Sequence, residues 1–273
     1  MRVVYRVLRT HIIAQQTANV HRKGQQAMGT ALKNNPITGA LYFLRGIGLI
    51  FKPGIRPYVV VPLILNIVLF SGLIWAGGAY FDSMMNDLIP PDWEALRWLL
   101  WPIFALAVML IGFYTFALVA NFIAAPFNGM LAEAVERHLT GQALEGDSSV
   151  KGIAKDVAIA IQSELRKLAY ILPRMIPLLV LFVIPWVNLI APFTWIAFST
   201  WMLAISYVDF PMGNHRLGFT QQRQRLKKRR FAALGFGGAT LVAVAIPFIN
   251  FVAIPAAVAG ATAFWVDQLK DVE

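Results

Sequence analysis

Two related stretches, "IPWVNLIAP" at 184–192 and "IPFINFVAIP" at 246–255, decide how the C-terminal half of this chain folds. Each contains Ile-Pro, an aromatic residue, a β-branched residue and Asn, and each reaches a second Pro a few residues later. They fall in the middle of two long apolar runs, 175–208 and 231–266. Because proline removes a backbone donor and clashes with the preceding turn, we predict that a helix breaks at each motif.

The helical arms on either side of each predicted break are short. At about 1.5 Å of rise per residue they reach roughly 17–24 Å, whereas the hydrocarbon core of a bilayer is about 30 Å thick. We therefore predict two helical hairpins, at about 168–208 and 231–266, that enter the membrane and return. Asn188 and Asn250 would lie at the hairpin tips. They either line a wet pathway, as paired Pro-interrupted segments do in transporters, or only cap a tight bend.

The composition is that of an integral membrane protein. Of 273 residues, 58% are hydrophobic and 14% are charged, whereas soluble domains carry about 25% charge. Two further charge-free runs, within 57–81 and 98–124, are long enough to cross a bilayer as helices. The predicted fold is an all-α membrane protein with two long transmembrane helices and two partly inserted, Pro/Asn-broken hairpins.

Several function classes are excluded or disfavoured. The chain has no Cys, which excludes thiolate metal sites and cysteine nucleophiles. Its four His are far apart, and neither a P-loop nor a nucleophile-elbow motif occurs. We predict no enzyme activity, no metal and no cofactor. The glycines of "GFGGAT" at 235–240 are typical of close helix packing in lipid.

The distribution of charge predicts the topology. The net charge is +10, and the basic residues lie beside apolar runs, which favours topology and anionic headgroups over nucleic acid as the explanation. Basic residues precede the first span and fill the 209–230 loop, whereas the 82–94 loop has only acidic charges. The positive-inside rule therefore places both termini and the 209–230 loop in the cytoplasm and the 82–94 loop outside.

The N-terminal region is predicted in two parts. Residues 1–34 are basic and lack the apolar region of a signal peptide, so we expect a disordered or dispensable extension. Its first 27 residues either precede the functional start at Met28 or form a basic amphipathic segment on the membrane surface. Residues 35–273 then form a single membrane domain, which begins with a short interfacial helix over 35–52.

The stretch "PGIRPY" at 53–58 is the most suggestive for binding. Gly54 lets the backbone approach a ligand closely, and Arg56 stands at the mouth of the helix that begins near Pro57. A helix N-terminus offers free N–H groups and a positive dipole end, and a guanidinium adds charge-assisted hydrogen bonds. Gly54, Ile55 and Arg56 are therefore the candidate site for a tetrahedral oxyanion. The alternative is that Arg56 only anchors the topology.

Other polar groups lie inside or beside the apolar runs. Arg174, at the start of the first hairpin, either snorkels to the membrane surface or forms an ion pair. The candidate partners are Glu164, Glu133 and Glu136. Asn66 and Asn121 lie within the two spans and are expected to bond between helices.

Five stretches together resemble one known family. They are "PGIRPYVVVPLILNI" (53–67), "IAAPFNGMLAEAVE" (123–136), "LRKLAYILPR" (165–174), "WMLAISYVDFPMGNH" (201–215) and "AVAGATAFWVD" (257–267). They are similar to the bacterial CysZ sulfate transporters, whose superfamily includes the eukaryotic etoposide-induced membrane proteins. The resemblance covers about residues 35–271.

The resemblance implies an inner-membrane protein that supplies sulfate for cysteine biosynthesis, with two transmembrane helices and partly inserted hairpins. It also implies a homo-oligomer, in which antiparallel copies would explain a capture site on the cytoplasmic side. The partners are then sulfate, the lipid bilayer and other copies of the chain. The family's sulfate-binding element resembles Gly-x-Arg-Arg, which Gly54, Ile55 and Arg56 match while Pro57 replaces the second Arg. The alternative function is a non-transporting scaffold or a sulfate-responsive regulatory membrane protein.

Overall fold

The computed structural model describes residues 34–88, 94–142 and 150–271. Within these ranges the chain is helical with short turns and contains no strand, as the all-α prediction requires. The α-helices are α1 (Pro36–Ile50), α2 (Pro57–Leu88), α3 (Glu94–Thr140), α4 (Val150–Val183), α5 (Ala191–Asn214), α6 (Phe219–Lys228), α7 (Arg230–Ala245) and α8 (Pro247–Phe264). A 3₁₀ turn, Val187–Leu189, follows α4, and a π-helical turn, Trp265–Leu269, follows α8. The N-terminal extension predicted at 1–34 lies outside the described residues except for Asn34.

Three helical segments of the described chain are long and apolar enough to cross a membrane: Pro57–Ala76, Ala191–Asn214 and Ile249–Leu269. Large apolar side chains face outward, among them Trp75 and Ile111, which are 73% and 68% exposed. Such a surface matches lipid rather than water. The helix that carries the first predicted span continues to Leu88, so the predicted 82–94 loop is shorter than expected.

Helix α1 is a helix, as predicted, and is also a central packing element. Asn35 caps it by accepting a hydrogen bond from the Ile37 N–H at 2.8 Å, and Pro36 occupies the first turn. Its buried face, which includes Phe43, packs on α7 and α8. The opposite face of α1 stays exposed, with Ile37, Leu41 and Leu44 at 69%, 55% and 56%, so the position of this helix at the membrane interface stays a prediction.

The glycine contacts confirm the prediction of close packing for "GFGGAT". A Cβ on Gly235 would lie 1.8 Å from the carbonyl oxygen of Pro36, and one on Gly237 would lie 2.0 Å from that of Thr200. On α1, a Cβ on Gly46 would lie 2.0 Å from the carbonyl oxygen of Ala256. Only glycine allows backbones to come this near, which is the small-residue packing found between membrane helices.

Both predicted helix breaks occur, and in each case the first proline of the motif marks the break. Helix α4 ends at Val183, just before Pro185, and α7 ends one residue before the extended Ile246, with Pro247 starting α8. The second prolines break nothing, since Pro192 lies in the first turn of α5 and Pro255 lies inside α8. Proline inside a helix is tolerated where neighbouring groups satisfy the freed carbonyls.

The chain reverses direction at both breaks. Lys167 of α4 is paired with Asp209 of α5, and Phe182 of α4 contacts Trp195 of α5, so that both pairs bracket residue 188 nearly symmetrically. Phe236 of α7 packs on Phe264 of α8, with ring centroids 6.2 Å apart, and this pair brackets residue 250. Helices α4 and α5, and likewise α7 and α8, are therefore antiparallel.

The lengths of the arms differ from the prediction on the C-terminal side of each break. Helix α5 has 24 residues, and the helical segment Ile249–Leu269 has 21, so by length alone each could cross a bilayer. The sequence estimate counted only the uncharged residues, whereas α5 continues through Asp209 and the second arm continues through Asp267. These two arms are therefore long enough to cross, contrary to the prediction.

Candidate anion site

The residues predicted to bind an oxyanion form the turn between α1 and α2. Gly54 has a φ of +84°, in the left-handed region that favours glycine. Ile55 is only 1% exposed and belongs to the hydrophobic core. The buried Ile55 side chain therefore fixes a turn whose neighbours, Gly54 and Arg56, remain exposed on either side of it.

Several backbone amides of this turn are already bonded. The N–H groups of Ile55 and Arg56 both donate to the carbonyl of Lys52, at 3.1 and 3.2 Å, and Tyr58 N–H donates to Ile55 O. Pro57 has no N–H to offer. In this conformation the Ile55 side chain is buried and its amide is already bonded, which leaves the exposed Gly54 backbone and the Arg56 guanidinium as the accessible groups of the predicted site.

Arg56 is held at one end only. Its Nε donates a hydrogen bond to the carbonyl of Phe51. No other hydrogen bond of the Arg56 side chain is found among the described residues, and the side chain is exposed, with the exposed Lys52 on the same turn. Its terminal nitrogens can therefore donate to an oxyanion. Arg45, one helix earlier, is not available, because its guanidinium is paired with Asp267.

The tip asparagines do not cap the bends. Asn188 lies in the exposed 3₁₀ turn, and neither that turn nor α5 has a side-chain cap. Asn250 lies one turn inside α8, whose N-terminus also has no side-chain cap. The bends are made instead by Trp186, with a φ of +69°, and by the extended Ile246. The capping interpretation was therefore wrong, while a pathway role stays a prediction.

Glu164 and Arg174 do not form the predicted ion pair. Glu164 is paired with Lys167 at 2.7 Å, one turn along α4. Arg174 donates to the carbonyl of Tyr170 at 2.8 Å and lies over the Tyr170 ring, 3.8 Å from its centroid. Lys167 also bridges to Asp209, so it takes both nearby carboxylates.

A buried polar network that the sequence analysis missed lies at the end of α3. Glu136 is 2% exposed, and both its carboxylate oxygens lie 2.9 Å from Nε2 of His215. An ionised carboxylate only accepts, so Nε2 carries the proton. Lys270 Nζ lies 3.3 Å from Glu136 Oε1, and Asn214 donates to the carbonyl of Gly129.

The protonation of Glu136 follows from these contacts. Burial on its own raises the pKa of Glu136, but the hydrogen bond and charge of His215, together with those of Lys270, outweigh it and hold the pKa below its usual value. Glu136 and His215 lie in two of the stretches that carry the family resemblance. The signal was therefore present in the sequence, but nothing in either stretch indicates that the two residues touch.

Among the residues described, no group of three or more His, Cys, Asp or Glu side chains is placed to hold a metal ion.

Comparison with known proteins identifies the family. Residues 42–255 match the family described as "Sulfate transporter CysZ/Etoposide-induced protein 2.4". The "Sulfate transporter CysZ" of Pectobacterium atrosepticum is 45% identical over 242 residues, which cover 86% of each chain. That of Pseudomonas aeruginosa is 44% identical over 235 residues, covering 85% of this chain and 96% of the relative.

This chain belongs to the CysZ/etoposide-induced protein 2.4 family.

The part matched to the CysZ family contains the Gly54–Arg56 turn, both helix breaks and the Glu136–His215 contact. The residues that tie down α1 and α3 from the C-terminus, Asp267 and Lys270, lie beyond the matched range. Membership of the CysZ family confirms the resemblance seen in the five sequence stretches.

Proposed function

We propose that this chain transports sulfate across the bacterial inner membrane and supplies it for cysteine biosynthesis. The observation that carries the proposal is the exposed Arg56 guanidinium at the mouth of α2, with its terminal nitrogens free of protein partners among the described residues. The naming of the relatives as sulfate transporters points the same way.

The chemistry of the turn suits sulfate. Sulfate stays a dianion at physiological pH, so it is recognised by N–H groups and cations and not by proton exchange. Arg56 supplies the charged fork, Gly54 lets the backbone approach, and Lys52 adds a second cation. The positive end of the α2 dipole favours an anion at the same place. Asn188 and Asn250 are the polar groups that we assign to the later part of the path.

We infer that α2 and α3 cross the bilayer, while the two hairpins enter it only in part. In each hairpin, one of the two arms is too short to cross the hydrocarbon core. After Arg174 about 14 Å of α4 remain before the break, and the 16 residues of α7 span about 24 Å. Both distances are shorter than the hydrocarbon core of about 30 Å. A hairpin enters as a unit, so its shorter uncharged arm limits its depth.

The positive-inside rule places Arg56 on the cytoplasmic side, which is the releasing side for an importer. We propose that the functional unit is a homo-oligomer with antiparallel copies, so that one copy offers Arg56 to each side. In a single orientation, Arg56 would serve sulfate exit or its regulation.

Sulfate flux into proteoliposomes tests the transport proposal. We expect the wild type to take up labelled sulfate and Arg56→Ala to lose about tenfold or more at subsaturating sulfate, the worth of a charged hydrogen bond. Arg230→Ala is the matched control, because Arg230 is an exposed arginine at a helix start that contacts only the Phe231 ring among its described contacts. Absence of flux from folded wild type would refute transport and favour the scaffold alternative. Undiminished flux in Arg56→Ala would refute only the site.

The lack of cysteine makes the hairpin proposal testable without background labelling. Trp186→Cys places a thiol at the first hairpin tip, Ser83→Cys at the outer end of α2, and Gln224→Cys in α6. We expect an impermeant maleimide to label Ser83→Cys and Gln224→Cys from both sides of the membrane, because antiparallel copies expose each position on both sides, and to leave Trp186→Cys unlabelled. Labelling of Ser83→Cys from outside only and of Gln224→Cys from inside only would refute the antiparallel arrangement. Labelling of Trp186→Cys from outside would mean that the hairpin crosses the bilayer.

A further inference from the structure

Two arginines from different helices converge on one tyrosine ring. Arg174, on α4, lies with Cζ 3.8 Å from the centroid of Tyr170, and Arg223, on α6, lies with Cζ 4.9 Å from the same centroid. Phe219, at the start of α6, packs on Tyr170 with ring centroids 5.5 Å apart. The Phe219 N–H also donates to Ser163 Oγ at 3.1 Å, so α6 is held on α4 beside the ring.

Both guanidiniums lie within 5 Å of the centroid of the Tyr170 ring, and neither has a carboxylate partner among the described residues. The acids on this face, Glu164 and Asp209, are both taken by Lys167, and Asp209 also accepts from Gln222 at 2.6 Å. Two like charges beside one ring repel each other, and the ring compensates only part of that repulsion. An anionic group that contacts both guanidiniums would remove it.

Arg223 has an unsatisfied donor at this position. Its Nε is buried and has no hydrogen-bond partner in the described structure. Buried donors without a partner are rare in proteins and often indicate a bound ion or water that completes the site. The missing partner is an acceptor, and an oxyanion supplies several.

The surroundings of the pair are apolar and exposed. Along α4, large aliphatic side chains lie on the outside on both sides of Tyr170, including Leu168, Leu172 and Ile176, at 49%, 56% and 64% exposure. A free anion would gain nothing from contact with these apolar side chains, whereas the acyl chains of a lipid would cover them. Cations with an aromatic ring beside a lipid-facing apolar surface are the features of a headgroup site.

We propose that Arg174 and Arg223, stacked on Tyr170, bind the phosphate of an anionic phospholipid in the cytoplasmic leaflet. The lipid pins α6 to α4 and fixes the depth at which the first hairpin sits, since Arg174 is the last charge before its tip. The site is separate from Arg56 and does not depend on sulfate being the transported solute.

Native mass spectrometry of the full-length protein in detergent tests this proposal, with phosphatidylglycerol as the probe and phosphatidylcholine of the same acyl chains as reference. We expect wild type to retain phosphatidylglycerol preferentially, and Arg174→Gln/Arg223→Gln to weaken that binding about thirtyfold, as two interfacial basic residues predict. Lys227→Gln/Arg230→Gln is the matched control, since it removes the same charge from exposed positions next in the chain. Its affinity should change about twofold or less.

Further variants and competing anions identify the ligand and test whether the variants fold. Arg174→Lys/Arg223→Lys keeps the charge but loses the planar fork, so it should fold and bind with intermediate affinity. If the glutamine double variant binds like wild type, or if both double glutamine variants lose affinity equally, the assigned site is wrong. If sulfate or inorganic phosphate displaces the lipid while chloride of equal ionic strength does not, the site holds a free oxyanion and the lipid assignment is wrong.

Discussion

Replacing Gly46 by alanine is expected to destabilise the protein, although alanine is the better helix former. A Cβ at this position would lie 2.0 Å from the carbonyl oxygen of Ala256 and 2.6 Å from the amide nitrogen of Gly260. Ordinary contacts of a Cβ begin near 3.4 Å, so α1 would have to move more than 1 Å away from α8. Overpacking of this kind costs about 1–3 kcal/mol.

The matched control lies two residues away on the same helix. Gly48 is exposed, and a Cβ there would meet no atom within 4 Å. Gly48→Ala should therefore stabilise the protein by up to about 1 kcal/mol through helix propensity alone. The two variants have the same composition and the same helix, so the difference in sign isolates the close approach of α1 to α8.

Thermal unfolding in detergent, followed by loss of monodisperse protein, measures both variants. We expect a lower midpoint for Gly46→Ala and an unchanged or higher midpoint for Gly48→Ala. Gly46→Ala should also lower sulfate flux, because α1 leads directly into the Gly54–Arg56 turn. Equal midpoints for the two variants would refute the inference that glycine contacts set the position of α1.

Three further predictions follow from single positions. Pro57→Arg adds a cation at the mouth of α2 and should lower the KM for sulfate by about tenfold, whereas an unchanged KM would show that this position does not face the anion. Glu136→Gln should destabilise the protein by about 1–3 kcal/mol at neutral pH. Because the pKa of Glu136 is lowered in the folded protein, its contribution to folding stability is present above the ordinary pKa of 4.5 and is lost as the pH falls through the lower folded pKa. The unfolding temperature of the variant should therefore fall less than that of the wild type as the pH is lowered. Trp186→Gly should be more stable in detergent than Trp186→Ala by about 1 kcal/mol or more, because only glycine accepts a φ of +69° without strain; equal stability of the two variants would show that the turn is unstrained.

The helical class and the two helix breaks could be predicted from the sequence because they depend on local chemistry. A long uncharged run in an all-α membrane protein forms a helix, because the backbone groups must bond to each other in lipid. A proline ends such a helix where no neighbouring group satisfies the carbonyl whose hydrogen bond the proline removes. Proline is an incomplete signal, however. Pro62 and Pro126 lie inside α2 and α3 without ending them, so the rule identifies candidate breaks and the packing decides among them.

Contacts between distant residues could not be predicted in the same way. Glu136 and His215 are 79 positions apart, and Arg45 and Asp267 are 222 apart. No local pattern specifies which carboxylate a cation will meet after the helices pack. The predicted Glu164–Arg174 pair illustrates the difficulty, because the two residues lie on one helix and yet Lys167, three positions from Glu164, reaches that carboxylate first.

The pairing of cations with carboxylates also explains why we propose two separate anion sites in this chain. Asp267 forms an ion pair with Arg45, Glu136 with Lys270, and Asp209 with Lys167. Arg56, Arg174 and Arg223 are left with carbonyl or aromatic partners. Such partners orient a guanidinium without neutralising it. Arg56 stands on an exposed turn, where it can take a dissolved dianion, while the pair at Tyr170 stands among lipid-facing leucines. A solute that must be released needs the weaker, water-exposed site at Arg56, and a lipid that holds a hairpin in place needs the site with two guanidiniums. For this reason sulfate should compete at Arg56 and not at Tyr170.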